Sequence, residues 1–238
     1  CENIAIGCKA LGTGVVTGLY NVALGKNSGN CLDSGNDNIL IGCSAGKCIT
    51  SGYSNIYLGH AAGLGFASGA TGFNNVALGQ GAGYAICCAQ HSVFIGTNAG
   101  YCNKIGKRNV YIGCGAGRCM GESGGADNVA LGHCAMRGSS TPGSNTGGSN
   151  VSIGEGSGFA ITSGSYNVLL GRGTGESITS GSNNVFIGNC AGNTNATHSG
   201  VIAIGYLAGK GMDYAQDNTI LGTCGGYNLN NGTCNVYV

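Results

Sequence analysis

Residues 167–171 read Asn-Val-Leu-Leu-Gly, and residues 184–188 repeat them as Asn-Val-Phe-Ile-Gly, in a five-residue motif that decides the fold. The chain contains fourteen copies of this motif, from residues 3–7 to an unfinished copy at residues 235–238. Each complete copy ends in a glycine, here called the closing glycine. Eight of the twelve intervals between successive closing glycines have one length, about 17 residues, and the other four are slightly longer. A fixed period of this length is typical of a solenoid, in which each repeat forms one coil.

Composition narrows the class of protein. The 238 residues include 50 glycines, which do not recur at every third position, and one proline, so the chain is not collagen-like. Charged residues make up 8% of the chain and the net charge is +1, so we expect neither nucleic acid nor an anionic membrane surface as a partner. No apolar run approaches the roughly 18 residues of a membrane span, so no membrane span is expected.

The motif predicts a β-strand, because β-branched residues favour the pleat and alternate side chains point to opposite faces. We predict an all-β fold, a single parallel β-solenoid domain over residues 1–238 with about 13 coils of about 17 residues each. The third residue before the closing glycine and the residue just before it share one face of the strand. We assign these two flanking positions to the core. The leading asparagines are expected to form a column of amides that hydrogen-bond along the stack.

The residue between the two flanking positions, here called the middle position, is expected to point away from the coil core. Thirteen of its fourteen occupants are not hydrophilic. A long exposed apolar strip is either an aggregation liability or a binding surface, and the alternative is a mildly apolar solvent face. We predict a lateral interface with another copy of the chain, through Leu40, Tyr57, Phe94, Tyr111, Leu169, Phe186, Ile220 and Tyr237.

The fourteen cysteines indicate disulfides and hence a location outside the cell or on a cell or virion surface. Cys48 follows Cys31 by one period, as Cys119 follows Cys102, and all four come six positions after their repeat glycine. Residues stacked in adjacent coils lie about 4.8 Å apart, which is within the Cα spacing of a disulfide. We therefore predict both bonds.

Other chemistries fit the pattern less well. His60 stacks with Cys43, and His133 with Cys114, so structural zinc is an alternative, but the spacing matches no compact zinc module and we predict neither a metal nor a cofactor. Hexapeptide acyltransferases form similar solenoids but carry an aliphatic residue at every sixth position, whereas the apolar spacing here is uneven. Neither His91 nor His198 has a carboxylate or nucleophile in register, and we predict that the protein is not an enzyme.

The repeats resemble the head region of trimeric autotransporter adhesins of the YadA type, whose motif runs Asn-Ser-Val-Ala-Ile-Gly, and related repeats of phage and large-virus fibres. Residues 75–79 and 128–132, both Asn-Val-Ala-Leu-Gly, carry this resemblance. It implies a left-handed parallel β-roll, commonly trimeric, that serves in adhesion or as a fibre shaft. The period of about 17 residues here is longer than the roughly 14 of those adhesins, and the cysteine content is higher.

The two ends of the chain suggest how copies associate. Neither end shows a polar cap, so we expect an uncapped solenoid that either is excised from a longer solenoid or stacks head-to-tail, and we favour stacking. The expected joint consists of Cys1, Asn3, Ile4 and Ile6 at one end and Cys234, Asn235, Val236 and Val238 at the other.

The predicted function is that of an extracellular, self-associating filament subunit without catalytic activity, stabilised by disulfides. The alternative is an adhesin or viral fibre head that binds a host glycan or surface protein through residues such as Tyr84, Tyr101, Phe159 and Tyr227. Asn195 and Asn231 begin acceptor sequons in predicted corners and are predicted glycosylation sites, whereas Asn150 is expected to be too buried to modify.

Overall fold

A computed structural model describes residues 2–12, 14–66, 69–121, 123, 125–141, 143–193, 197–212, 216–229 and 232–238. Within these ranges the chain forms fourteen short parallel strands in one sheet, in sequence order, and no helix. The strands are β1 (Ile4–Ile6), β2 (Val22–Leu24), β3 (Ile39–Ile41), β4 (Ile56–Leu58), β5 (Val76–Leu78), β6 (Val93–Ile95), β7 (Val110–Ile112), β8 (Val129–Leu131), β9 (Val151–Ile153), β10 (Val168–Leu170), β11 (Val185–Ile187), β12 (Ile202–Ile204), β13 (Thr219–Leu221) and β14 (Val236–Tyr237). The predicted parallel β-solenoid is confirmed.

The register follows the sequence repeat at every step. Val168 pairs with Val185 one period later, and the middle residues Leu169 and Phe186 pair beside them. The longer repeats do not break this register, because Ile56 still pairs with Val76, its equivalent in the next repeat, across one of the longer intervals. The extra residues are therefore accommodated in the turns that connect one strand to the next.

The asparagines that begin the motifs stack into a column, here called the asparagine ladder, which is the polar part of the coil interior. The backbone N–H and the Nδ2 of Asn38 both donate to Asn21 Oδ1 at 3.0 Å, and the same Nδ2 donates to the Gly52 carbonyl at 2.9 Å. Where serine replaces asparagine, Ser92 Oγ accepts the backbone N–H of Asn109 at 3.2 Å. Each such side chain satisfies buried backbone groups of the neighbouring coils, so the predicted structural role of the asparagines is confirmed.

The inside and outside of the strand are reversed from the expectation. All but one of the predicted lateral-interface residues are fully buried, and Tyr237 of the last strand is partly buried: Leu40, Tyr57, Phe94, Tyr111, Leu169, Phe186, Ile220 and Tyr237. These middle positions form the core, so they are not available to a second copy and the predicted lateral interface is wrong. The flanking positions, which were assigned to the core, point out of the coil.

The geometry of the turns explains this reversal. Four residues after the closing glycine, Gly46 has a φ of +57° and lies directly under the strand. A Cβ at Gly46 would lie 2.7 Å from Leu40 Cδ2 and 2.9 Å from Ile49 Cδ1. Leu40, Ile49 and the glycine corner therefore meet inside the coil. A coil this short has room for one strand side chain between these corners, and the middle residue fills it.

Candidate interaction surfaces

The flanking positions form a continuous apolar surface along one side of the solenoid, which we call the aliphatic face. Of its 28 positions, 27 are Ile, Leu or Val, and the exception is Thr219. In the inner strands the more exposed members retain 37–39% of their accessible surface, and the others are half-buried. The more exposed set comprises Ile39, Ile56, Leu58, Ile112, Ile153, Ile202, Ile204 and Leu221. A surface of this length and uniformity is typical of an interaction site.

The four cysteines that were predicted to form disulfides lie in the expected register. The backbone N–H of Cys31 donates to the carbonyl of Lys47, so Cys31 lies beside Cys48 in the next coil. Both are thiols in the structure, and the pKa of Cys48 is raised by burial and by the neighbouring Cys31. Cys102 and Cys119 stand in the same relation further along the axis, because the N–H of Cys102 donates to the carbonyl of Arg118. The juxtaposition that the two bonds require is present, and the bonds themselves stay a prediction.

The residues of the predicted joint lie at opposite ends of the sheet. Asn3 Oδ1 accepts the backbone N–H of Asn21 at 2.8 Å, and Asn235 donates its N–H to Asn218 Oδ1 at 2.9 Å, so both asparagines belong to the ladder. The flanking side chains of the two end strands are exposed: Ile4, Ile6, Val236 and Val238. Cys234 is also exposed.

Three predicted site residues, Cys1, Asn195 and Asn231, lie outside the described residues. Asn150, in contrast, is fully buried in the ladder, as expected for an asparagine that a glycosyltransferase cannot reach.

A second surface lies beyond the closing glycines, where the fifth residues after five successive glycines, from Tyr84 to Phe159, form a row along the axis. Tyr84 and Tyr101 stack with ring centroids 4.6 Å apart, Arg118 lies over the Tyr101 ring at 5.6 Å, and Arg137 lies over the Phe159 ring at 5.2 Å. Partial burial, with a smaller effect of Tyr84, raises the pKa of Tyr101, so this phenol stays neutral beside the guanidinium of Arg118.

Arg118, Arg137 and Phe159 of this row form one wall of a groove of about 380 Å³, which we call the arginine groove. Its lining residues are Asn98, Cys114, Gly115, Arg118, Cys134, Arg137 and Phe159. A neighbouring groove of about 220 Å³ shares Asn98 and continues along the axis past Gly81, Tyr84 and Tyr101. Gly81 and Gly115 occupy equivalent positions, one in the lining of each groove.

Sequence reasoning missed both surfaces. It located Tyr84, Tyr101 and Phe159 individually, but not the two arginines between them, although all five residues are the fifth after a closing glycine. The aliphatic face had a signal too: where the middle residue is the bulky Phe94, the position that usually supplies an inward aliphatic residue holds Asn103. In that coil the smaller residue offsets the larger middle residue, whereas the coil of Tyr111 keeps Met120 at the same position, so the signal is confined to single repeats.

Metal binding and membrane insertion find no support in the described ranges. They contain no group of three or more His, Cys, Asp or Glu side chains arranged to hold a metal ion. Cys134 Sγ lies 3.6 Å from His133 Nε2, but these are sequence neighbours on an exposed corner. Over the same ranges, no helix has the length and apolar character needed to cross a bilayer. Comparison of the chain with family models, curated proteins and solved structures gives no match.

Proposed function

We propose that the protein is a structural, self-associating subunit of a fibre or filament, in which copies of the chain pack side by side through the aliphatic face. The observation that carries this proposal is the composition of that face, which holds 27 aliphatic residues in 28 positions and no charged residue. Selection for solubility alone favours polar residues at such positions, because an open, flat apolar sheet is prone to aggregate.

The size of the face supports a stable contact. Its side chains offer on the order of 1,000 Å² of apolar surface, compared with roughly 800 Å² buried by each partner in a standard interface. The same figure exceeds the roughly 300–600 Å² of the largest apolar patch on a typical monomer. Covering this surface therefore supplies a large hydrophobic contribution to association.

The regularity of the face favours a second copy of the chain as its partner. Adjacent strands of the sheet are about 4.8 Å apart, so the aliphatic side chains form ridges at that spacing over fourteen strands. Another copy presents ridges with the same spacing and fits between them over the full length. A closed arrangement of two or three copies removes the exposed surface, and three is the number that the resemblance to adhesin heads implies.

The other parts of the predicted function remain proposals. Head-to-tail stacking joins lateral assemblies into a filament, and the neighbouring thiols of Cys31 and Cys48 fit an oxidising setting outside the cell. An adhesin or fibre head that binds a glycan is the second candidate function. The observation that favours it is the arginine groove with its aromatic neighbours.

Replacement of Leu170 by Glu tests lateral association, because this half-exposed residue lies in the middle of the aliphatic face. The wild-type protein is expected to sediment as a dimer, a trimer or a larger assembly in analytical ultracentrifugation, and L170E as a species of lower mass with an unchanged circular dichroism spectrum. Asn189→Glu is the matched control, since it adds the same charge at an exposed corner away from the face. A monomeric wild-type protein at high concentration, or an L170E variant that associates as the wild type does, would refute the proposal.

A further inference from the structure

Arg118 and Arg137 in the arginine groove are adjacent positive charges, and within the described part of the chain neither has a carboxylate partner. They lie in neighbouring coils, since the N–H of Cys119, next to Arg118, donates to the Arg137 carbonyl at 2.8 Å. Among the described residues, neither arginine forms an ion pair, whereas Arg108 pairs with Asp127 and Arg172 with Glu155. Their backbones lie in adjacent coils, with Arg118 over the Tyr101 ring on one side and Arg137 over the Phe159 ring on the other, so an anion in the groove between them would offset the repulsion of two like charges.

The Nε atom of Arg118 points to the same conclusion. This atom is buried, and no hydrogen-bond acceptor lies within reach of it in the described part of the chain. A buried donor without a partner is costly, so such atoms commonly mark a place where a ligand supplies the acceptor. Glu155, in the coil of Phe159, contacts Arg172 instead, with its carboxylate 3.3 Å from Arg172 Nε.

The shape of the site indicates what carries the anion. The arginine groove of about 380 Å³ is large enough for a sugar unit, and the adjoining groove of about 220 Å³ extends it along the solenoid axis. Their linings combine the Asn98 amide, the Tyr84 hydroxyl and the rings of Tyr101 and Phe159, which is the mixture of polar groups and aromatic carbon that saccharides contact.

We propose that the arginine groove binds an acidic saccharide, whose carboxylate or sulfate groups accept hydrogen bonds from Arg118 and Arg137 and whose neighbouring sugars lie along the groove toward Tyr84. Guanidinium groups suit this role because they bind carboxylates and sulfates through paired N–H donors. Two cations on a chain of net charge +1 do not form the broad basic surface that nucleic acid requires. This inference deepens the second candidate function and does not depend on lateral association.

Isothermal titration calorimetry with a heparin-derived tetrasaccharide, which carries sulfate and carboxylate groups, tests the proposal. The wild-type protein is expected to bind it with an affinity that falls as salt is added. R118Q and R137Q should each weaken binding at least tenfold through loss of a charge-assisted contact, and R118K should recover part of the loss. Arg108→Gln is the matched control, because it removes an arginine charge at another corner and should leave the affinity unchanged.

Three further probes decide the identity of the ligand. A tetrasaccharide without sulfate and carboxylate groups should not bind, and inorganic sulfate should bind more weakly than the acidic tetrasaccharide. Equal affinity for inorganic sulfate would overturn the saccharide assignment, as would tighter binding of a DNA duplex. Absence of tetrasaccharide binding, or wild-type affinity in a folded R118Q/R137Q double variant, would overturn the site. None of these outcomes changes the sedimentation result for L170E, so the two proposals fail separately.

Discussion

Replacement of Asn167 by Ala removes one member of the asparagine ladder, directly before strand β10. In the native structure Asn167 Nδ2 donates to the Gly181 carbonyl at 2.9 Å and to Asn150 Oδ1 at 3.0 Å. Its Oδ1 accepts the backbone N–H of Asn184 at 3.1 Å and the Nδ2 of the same residue at 2.9 Å. The ladder at this point is fully buried, so water does not replace the lost partners.

The expected cost follows from the groups that are left without a partner. The Gly181 carbonyl and the Asn184 N–H both lose their bond, whereas Asn184 Nδ2 keeps a second bond to the His198 carbonyl at 2.7 Å. At about 1–3 kcal/mol for each buried group left unsatisfied, N167A should lower the free energy of unfolding by roughly 2–6 kcal/mol. Urea unfolding followed by circular dichroism measures this change.

Asn167→Ser provides the matched comparison, because Ser92 already occupies this position in another coil. Ser92 Oγ accepts the N–H of Asn109, so a serine at position 167 should keep the bond to Asn184 and lose only the donor to Gly181. We expect about half the destabilisation of N167A. A loss below about 0.5 kcal/mol for N167A, or equal losses for both variants, would refute the view that the ladder stabilises the coils by satisfying buried groups.

Two further predictions concern the turns and the thiols. Gly171→Ala should lower the free energy of unfolding by about 2–4 kcal/mol in thermal or urea unfolding, because φ is +137° there and a Cβ would lie 2.6 Å from the Gly188 carbonyl oxygen. Gly156→Ala is the control: its φ is +64° and the space around it is open, so it should cost about 1 kcal/mol. Equal destabilisation by the two variants would contradict this reasoning. Oxidised glutathione should produce a disulfide between Cys31 and Cys48 of one chain, and the reaction should be faster at alkaline pH because the pKa of Cys48 is raised. Mass spectrometry of a non-reduced digest should find this disulfide in the wild type and not in C31S. Persistence of both free thiols in the wild type would count against the pairing.

The repeat period determined most of the architecture. In a parallel stack, residues one period apart lie on top of each other, so the order of the strands, the register of Val168 on Val185 and the asparagine ladder all follow from the spacing. The neighbouring positions of Cys31 and Cys48 follow for the same reason. These features depend only on equivalence between repeats, which a single sequence displays.

Which face of each strand points into the coil does not follow from the spacing. Both faces of the motif are apolar, so the alternation of side chains leaves two assignments with similar hydrophobic patterns. Closure of the coil decides between them: the turn at Gly46 brings Ile49 under the strand, and the enclosed space accepts the single side chain of Leu40 rather than two flanking ones.

The arginine groove likewise depends on the folded chain. Arg118 and Arg137 belong to two successive repeats that are both longer than the usual period, and their Tyr101 and Phe159 neighbours come from two further coils. Equivalence of position predicts that these side chains share a row. Only the packed structure shows that no carboxylate among the described residues pairs with the two arginines and that Nε of Arg118 is buried without an acceptor there, because charge pairing and desolvation depend on side-chain orientations across coils.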